Sequence, residues 1–447
     1  ITMKGYNKWN YKPFVLQFNH PYICRLVPGN TSVTFQWKDD YDKGPHTVRY
    51  KGREEKEWKS KRLTSEMHTI EGLEPRVTYE IAIFNSNGFQ GASRLFNTGI
   101  YPGTLINYNH FEDKQYLFSG RCLGSPSLLR LPSGSLLASH DIFGGGMGAQ
   151  RQENFTNIFR SDDDGKTWYL VSELFSCFWP SMFLHHGKLY IIACSRVYGD
   201  LLVGCSEDEG KTWSMPTVIA RSCCAHGDNE GFHKSAGKVL KSHGRLWLGI
   251  EYGCWSCGTF RNTLLSIDEN ADLLDAENWT FTSFTPPARD VPGAIKGVPG
   301  ALEGISMESL DGQYIYDIAR YSNGLAMVLK VKADDPEGNL EFYKFSKIPV
   351  AHSKFEIIKH DDGWYYTIGN IPPARTILCV YRSRDLENWE FVSKILDFEG
   401  CSVNKVGVQY PSVLLEGRTL SFLSRTAMNN SESFHDSNCI TFHRVEI

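Results

Sequence analysis

The chain has 447 residues, enough for two or three domains of ordinary size. Its 47 basic and 51 acidic residues give a net charge of −4, which excludes nucleic acid as a main partner because phosphate backbones bind to net basic faces. No apolar run approaches the roughly 18 residues of a membrane-spanning helix. An aromatic content of 13% and 40 glycines favour short strands and tight turns.

Four glycosylation sequons and an even number of cysteines (12) are typical of a secreted, disulfide-bonded glycoprotein. The chain begins at Ile1 rather than Met, as a mature product would. We therefore expect an extracellular protein. The sequons start at Asn30, Asn154, Asn278 and Asn429.

The cysteine pattern predicts disulfides rather than a metal site. We expect at least four cysteines to be bonded, and the adjacent Cys223 and Cys224 would each need a distant partner. Cys254 and Cys257 are the nearest such partners in sequence. This single CxxC has no second copy to complete a zinc site, and no calcium-binding loop stands out. No metal and no cofactor are therefore expected.

The first part of the chain, residues 1–103, is predicted to be a small β-sandwich with an N-terminal extension. Alternating apolar residues indicate strands at 32–37, 48–50 and 79–83. The spacing of Trp37, Leu73-x-Pro75 and Tyr79 resembles that of a fibronectin type III domain over residues 23–100. Such a resemblance implies a spacer or binding module rather than a catalytic one.

Residues 104–447 contain an internal repeat. The pattern S-x-D-x-G-x-x-W occurs at 161–168 and 206–213, and a degenerate copy occurs at 383–389. This pattern is the Asp box. It predicts a hairpin turn in which the Asp accepts hydrogen bonds from amides, the Gly adopts a positive φ and the Trp packs between sheets. These motifs are interpreted as structural and remote from any active site.

Six hairpins align with these boxes, each with a glycine in its turn: Gly134, Gly187, Gly244, Gly312, Gly363 and Gly417. Six equivalent units of short strands predict an all-β fold, a six-bladed β-propeller preceded by the small sandwich. The long third unit leaves a seventh blade open. We expect the closing sheet to join the strand at 440–444 to a strand near residue 115, because closure removes exposed sheet edges.

The Asp boxes and the six units resemble the sialidase superfamily. Sialidases carry an Arg for the substrate carboxylate two residues before the Pro of their first inner strand, but this chain has Gly124 there, before Ser125-Pro126. Other stretches, such as Gln409-Tyr410-Pro and Ser-Arg425-Thr-Ala, resemble a secreted sialidase-like branch related to rhamnose–glucuronate lyases. The resemblance implies action on a carbohydrate.

Propellers bind ligands where their inner strands end around the axis, so the repeat alignment predicts two rings of side chains there. The first ring is Ser125, Trp179, His233, Glu303, Lys354 and Tyr410, and the second is Asp141, Arg196, Glu251, Arg320, Asn370 and Arg425. The candidate catalytic residues are His233, Tyr410, Glu303 and Glu251. The candidate substrate-binding residues are Arg196, Arg320, Arg425, Lys354, Asn370, Trp179, His140, Asp141 and His435. A structural alternative pairs the arginines with the carboxylates between blades and has His435 and Asp436 fix the closing blade.

The expected substrate is an acidic oligosaccharide or polysaccharide, because guanidinium groups bind carboxylates in bidentate geometry. The leading hypothesis is β-elimination at a uronate, with His233 or Tyr410 as the base. The alternative is a sialidase-like exo-glycoside hydrolase, with Tyr410 as nucleophile, Glu303 or Glu251 activating it and Asp141 as acid. A glycan-binding propeller without catalysis stays open, although six different ring positions favour one asymmetric site. The sequence leaves the sugar, the linkage and the oligomeric state open.

Overall fold

The computed structural model describes residue 18 and residues 20–144, 154–222 and 230–447. These residues form 32 β-strands and two short 3-10 turns, at Ala276–Asn278 and Ala288–Asp290. The described part of the chain contains no helix with the length and apolar character needed to cross a membrane. The predicted all-β class is confirmed.

The N-terminal part is a sandwich of two antiparallel sheets, with strand orders β1-β2-β5 and β4-β3-β6-β7. Its strands are β1 (Tyr22–Pro28), β2 (Ser32–Lys38), β3 (Thr47–Gly52), β4 (Lys59–Arg62), β5 (Met67–Glu71), β6 (Thr78–Phe84) and β7 (Arg94–Asn97). Tyr79 stacks on Phe96 in the core at 5.4 Å, and its hydroxyl accepts a hydrogen bond from the Glu74 amide at 2.9 Å. Trp37 lies at the edge of this core and donates its indole N–H to the Ser65 carbonyl.

Buried polar contacts fix the sandwich to the rest of the molecule. Arg94 and Asp113 form an ion pair at 2.6 Å with both side chains about 1% exposed. Tyr22 of β1 donates its hydroxyl to Glu173 at 2.5 Å. Burial raises the pKa of Glu173 to about 7, so this carboxyl is a weak acid in the folded protein. The two parts are therefore in contact through buried polar groups as well as through apolar surface.

The described residues from 104 onward build six sheets of the predicted propeller. The first two sheets contain β9 (Cys122–Arg130), β10 (Leu136–Phe143), β11 (Phe155–Ser161) and β12 (Tyr169–Phe175), then β13 (Phe178–His185), β14 (Lys188–Cys194), β15 (Leu201–Ser206) and β16 (Thr217–Ala220). The third contains β17 (Gly231–His233), β18 (Leu240–Ser242), β19 (Arg245–Gly253), β20 (Arg261–Asp268) and β21 (Trp279–Phe281). The fourth and fifth contain β22 (Leu302–Glu308), β23 (Tyr314–Ser322), β24 (Leu325–Lys332) and β25 (Glu341–Lys347), then β26 (Glu356–Lys359), β27 (Tyr365–Asn370), β28 (Ile377–Ser383) and β29 (Glu390–Asp397). The sixth contains β30 (Gly407–Glu416), β31 (Thr419–Ala427), β32 (Cys439–Glu446) and β8 (Thr104–Tyr108). In the third sheet β17 and β18 both pair with β19. The third unit is long because residues 282–301, between β21 and β22, contain only the second 3-10 turn.

The closing sheet joins the two ends of the propeller, as expected, but with a different strand. β32 pairs with β8, which places Cys439 opposite Tyr108 and Ile440 opposite Asn107. The strand predicted near residue 115 is wrong, because residues 111–119 form turns that lead into β9. Ser119 in this segment donates its hydroxyl to the Ile142 carbonyl of the first sheet, so this stretch connects sheets and does not pair as a strand.

The Asp boxes form the turns between the third and fourth strands of their sheets. In the first box, Asp163 accepts hydrogen bonds from the Thr167 amide (2.8 Å) and hydroxyl (2.6 Å), and Gly165 has a φ of 84°. Trp168 packs at 5.5 Å from Phe442 of the sixth sheet. The turn therefore shapes the hairpin and presents a ring to the neighbouring sheet, as the sequence predicts.

Replacing Asp163 with Ala is expected to lower the free energy of unfolding by about 2 kcal/mol, because a charged acceptor of several hydrogen bonds is lost. Thermal unfolding measures this effect, and substrate turnover is expected to stay unchanged. Lys166→Ala in the same turn is the matched control and should leave the unfolding temperature nearly unchanged. An unaltered midpoint for Asp163→Ala would contradict the structural role.

Candidate functional site

A cavity of about 500 Å³ lies where the inner strands of the six sheets end. Every residue of the first predicted ring lines this cavity: Ser125, Trp179, His233, Glu303, Lys354 and Tyr410. Each comes from a different sheet or from the residues just before its inner strand. The repeat alignment therefore predicted which side chains come together.

Four of these residues have a backbone that L-residues rarely adopt. Ser125, Trp179, Glu303 and Tyr410 have φ values of 45°, 52°, 59° and 54°. In each strand the pairing register shifts there, so that two residues oppose one residue of the partner strand. Such a β-bulge re-aims a side chain, and positive φ at a non-glycine residue is concentrated at functional sites. The same device is thus repeated around the cavity.

Tyr410 and Glu303 lie beside each other at the cavity surface. The Arg320 guanidinium donates from Nε to the Glu303 carboxylate. Burial alone would raise the pKa of Glu303, but the charge and hydrogen bond of Arg320, with the nearby Tyr410 hydroxyl, hold it below its ordinary value. Glu303 is therefore an ionised acceptor beside a tyrosine hydroxyl at neutral pH.

Three arginines, which we call the arginine cluster, line the same side of the cavity: Arg320, Arg375 and Arg425. Arg425 lies over the Tyr410 ring at 4.9 Å and Arg375 lies over it at 5.8 Å. Arg375 donates to Gln409 at 2.7 Å, and burial lowers its pKa from the ordinary value. The cluster surrounds Tyr410 with positive charge.

The position that carries an Arg in sialidases has no room for a side chain here. A Cβ at Gly124 would meet the Phe143 ring at 2.8 Å. Arg425 contacts the same ring, and its guanidinium lies 4.3 Å from the Phe143 ring centre. Arg425 also donates to Ser437 at 3.0 Å and to the His435 carbonyl, which fixes its position.

His233 and Glu251 form a second hydrogen-bonded pair. The His233 Nδ1 lies 2.7 Å from one oxygen of Glu251, whose other oxygen accepts the Gly304 amide at 2.9 Å. Glu251 is fully buried behind the ring and does not line the cavity. Because Glu251 holds Nδ1, Nε2 is the ring nitrogen that a ligand in the cavity can use.

Several predicted residues do not reach the cavity. Asp141 accepts the Trp179 amide at 3.1 Å beneath the surface, and burial raises its pKa to about 6. His140 stands opposite the bulge of β9, so its ring faces Phe159 (5.3 Å) and Asn107 (3.1 Å) instead. Burial lowers the pKa of His140 to about 4. Neither side chain lines the cavity, and their contact with substrate stays a prediction.

Two more residues of the second ring do not line the cavity, Asn370 and Arg196. Asn370 is fully buried and donates to the carbonyls of Ile377 and Val408, which ties neighbouring strands together. In the second sheet, the register predicted for Arg196 is held by Cys194, which pairs with the residue just before the bulge. Arg196 lies two residues further along the chain. It is not among the residues that line the cavity.

Lys354 and His435 do line the cavity, but protein groups already bind them. The Lys354 ammonium donates to Glu356 at 2.5 Å and to the Pro411 carbonyl. His435 bonds to Asp436 at 3.0 Å and its carbonyl holds Arg425. The alternative in which His435 and Asp436 stabilise the closing blade fits these contacts. The alternative ion pair of Arg320 with Glu303 also forms, but within one sheet rather than between blades.

Loops after the second strands contribute residues that the sequence analysis missed. Arg375, Tyr198, Trp255 and Phe260 all line the cavity from such loops. The analysis followed strand ends only, and the aromatic and basic residues of these connections were the signal available. Lys234, next to His233, was also missed; burial lowers its pKa to about 8.

The cysteines differ from the expectation. Cys254 and Cys257 are bonded to each other. The prediction that they are the partners of Cys223 and Cys224 is therefore wrong. Cys223 and Cys224 themselves lie outside the described residues. Eight other cysteines in the described part are free thiols, and the expectation of at least four bonded cysteines stays a prediction.

A grouping of possible metal ligands in the described ranges lies in the sandwich: Asp39, Asp42 and His46. Asp39 already accepts two backbone amides and bonds to His46 at 3.0 Å. The Asp42 carboxylate accepts the Gly44 amide and the Ser86 hydroxyl. These atoms stabilise a loop, and the group is remote from the cavity.

Comparison with solved structures finds other proteins of the same fold. A Hadza microbial sialidase superposes with a TM-score of 0.52 at 12% identity, covering 98% of this chain and 99% of that one. The leech intramolecular trans-sialidase complexed with 2,7-anhydro-Neu5Ac gives the same values. A Penicillium chrysogenum α-L-arabinanase complexed with arabinobiose gives 0.50 at 15% identity, covering 77% of this chain and 99% of that one.

At these identities the likeness establishes the fold alone. No protein-family model matches the chain, and no curated protein matches it. Structural neighbours of this chain are thus sialidases and arabinanases, which are glycoside hydrolases of propeller fold.

Proposed function

We propose that the protein is a retaining, sialidase-like exo-glycoside hydrolase that releases a terminal sugar acid. The observation that carries this proposal is the Tyr410–Glu303 pair inside the arginine cluster. A tyrosine nucleophile is the known solution of sialidases among glycoside hydrolases. The neighbouring folds support a hydrolase rather than the elimination that the sequence analysis favoured.

The reaction begins with proton transfer from the Tyr410 hydroxyl to the Glu303 carboxylate. The phenolate oxygen attacks the anomeric carbon, the glycosidic bond breaks, and a glycosyl–tyrosine intermediate forms. A neutral hydroxyl suits an anionic sugar, because a carboxylate nucleophile would meet the sugar's own carboxylate with like charge. Water then attacks the anomeric carbon, and Tyr410 leaves and regains its proton from Glu303.

His233 is the proposed acid and base of the two steps. It protonates the leaving oxygen in the first step and takes a proton from water in the second. Glu251 orients the ring through Nδ1 and leaves Nε2 free to exchange the proton. Asp141, the acid considered from the sequence, lies buried beneath Trp179 and is not used in this scheme.

The arginine cluster binds the sugar carboxylate in this proposal. Arg320 is already paired with Glu303, so Arg375 and Arg425 supply most of the uncompensated charge. Their fixed hydrogen bonds to Gln409, Ser437 and the His435 carbonyl hold both guanidinium groups before substrate arrives. Such preorganisation favours binding and selects acidic sugars over neutral ones.

Arg425→Ala is expected to raise the KM for an acidic glycoside by about 10- to 100-fold, the cost of about 1.5–3 kcal/mol for a lost charge-assisted hydrogen bond. Binding of the methyl ester of the same sugar should change little, because the ester carries no charge. Thermal unfolding checks that the variant is folded. Arg130→Ala, which removes a guanidinium bonded to Glu416 outside the cavity, is the matched control. Equal losses for acid and ester would contradict the assignment.

Incubation with 3′-sialyllactose and with a panel of uronate polymers tests the proposed function. Release of free sugar acid without new absorbance of unsaturated uronates is expected. Rising absorbance at that band would indicate a lyase instead. Retention on glycans without any bond cleavage would indicate a lectin.

We also infer that the protein is secreted, although not every sequon counted in the sequence is accessible for glycosylation. Among the four sequons, Asn30 is exposed and can accept a glycan. Asn154 is buried and its amide donates to the Ser119 carbonyl, so it cannot be modified in the folded protein. Peptide mapping after treatment with a glycosidase would test glycosylation at Asn30.

A further inference from the structure

One side of the cavity is formed by aromatic rings, opposite the arginine cluster. We call Trp179, Tyr198, Trp255 and Phe260 the aromatic wall. The second and third sheets supply the wall, whereas the fourth, fifth and sixth sheets supply Glu303, Tyr410 and the arginines. The third sheet also supplies His233 and Lys234, whose ammonium is held by the Trp179 and Ser235 carbonyls and the Ser181 hydroxyl. The arginines and the aromatic rings thus lie on different sides of the cavity.

The wall is continuous and encloses His233 on that side. Trp179 lies 4.5 Å from the His233 ring, and Phe260 lies 5.3 Å from it. Tyr198 is 6.1 Å from Phe260, and Trp255 is 6.2 Å from Phe260 on the outer side. The rings therefore extend from the acid–base histidine toward the mouth of the cavity.

Trp255 is exposed although its position is tightly fixed. Its side chain is 53% accessible to solvent. The Cys254–Cys257 disulfide closes the turn around it, and its amide donates to the Tyr198 hydroxyl at 3.0 Å. An exposed indole on a restrained turn loses little conformational freedom when a ligand covers it, so burial of its apolar face favours binding.

From this arrangement we infer that the aromatic wall is a subsite for the sugar that leaves, and that this sugar is neutral. The inference rests on the proposed function, because His233 protonates the leaving oxygen and the leaving sugar must then lie on its side of the cavity. The four wall side chains carry no charge. Flat rings pack against the C–H faces of a pyranose, and the indole N–H and the phenol hydroxyl can bond to its hydroxyl groups.

The experiment compares two substrates with the same sugar acid and different leaving groups. Hydrolysis of 3′-sialyllactose and of a methyl sialoside is measured for the wild type, Trp255→Ala and Trp255→Phe. Trp255→Ala is expected to lower kcat/KM about 10-fold for the trisaccharide and less than about twofold for the methyl glycoside, as expected for one lost aromatic contact. Trp255→Phe should recover part of the loss.

Trp58→Ala is the matched control, because Trp58 is a partly exposed indole of the sandwich, remote from the cavity. It should leave both substrates unchanged. Equal effects of Trp255→Ala on both substrates, or no effect on either, would overturn the subsite.

Binding of lactose alone separates this inference from the proposed function. Saturation-transfer NMR is expected to show lactose bound to the wild type and more weakly bound to Trp255→Ala. If neither glycoside is cleaved but lactose binding depends on Trp255, the proposed hydrolysis fails and the neutral-sugar site stands. If the glycosides are cleaved but lactose binding does not depend on Trp255, the subsite fails and the hydrolase stands.

Discussion

Tyr410→Phe is expected to reduce kcat by roughly 10⁴-fold while leaving the fold intact, since losing a nucleophile is among the largest single effects in an enzyme. The substitution removes one oxygen and keeps the ring that lies beneath Arg425 and Arg375. Steady-state hydrolysis and thermal unfolding measure the two quantities. The effect on KM should be small, because the arginine cluster still binds the sugar carboxylate.

Tyr366→Phe provides the control for this substitution. Tyr366 donates its hydroxyl to the Asp362 carboxylate at 2.9 Å in the fifth sheet, outside the cavity. It should keep full activity. Wild-type turnover by Tyr410→Phe would show that the nucleophile lies elsewhere.

His233→Ala is expected to lower kcat by about 10²- to 10⁴-fold on a substrate with a sugar leaving group, the usual contribution of a general acid. The loss should be much smaller for a nitrophenyl glycoside, because that leaving group departs without protonation. The pH profile should also lose the limb that reports the acid form. The ratio of the two losses is therefore the informative quantity.

Glu251→Gln distinguishes the orienting role of Glu251 from a catalytic one. The side chain keeps its shape, but an amide has one acceptor oxygen, so it can keep only one of the hydrogen bonds to His233 Nδ1 and the Gly304 amide. A moderate loss of kcat with a shifted pH profile is expected.

Equal losses on both leaving groups for His233→Ala would contradict the acid role of His233.

The repeat period accounts for what could be predicted of the site. Inner strands of equivalent sheets begin at equivalent points, so His233, Glu303 and Tyr410 were placed correctly at one cavity. The lengths of the hairpin turns explain where this reasoning ended. The same bulge occurs in the second, fourth and sixth sheets, but the second hairpin turns tightly between His185 and Lys188, so Cys194 rather than Arg196 takes the register of Arg320 and Arg425.

The paths of the connecting loops could not be predicted, because the loops do not share the repeat period of the strands. Arg375 and Trp255 reach the cavity from connections between the second and third strands of their sheets. Their direction depends on local contacts, such as the Cys254–Cys257 bond and the hydrogen bond of Arg375 to Gln409. The position of the closing strand failed for a similar reason, since β8 is identified by its pairing with β32 and not by its own pattern.

Trapping the covalent intermediate tests the central claim most directly. A fluorinated sugar-acid fluoride slows both steps and needs no acid for departure, so the glycosyl–tyrosine should accumulate. Digestion with trypsin places Tyr410 in the peptide 406–418. We expect mass spectrometry to find the sugar on Tyr410 in the wild type and on no residue in Tyr410→Phe. A sugar attached to another residue, or turnover of the fluoride without any adduct and with inverted product, would contradict the account.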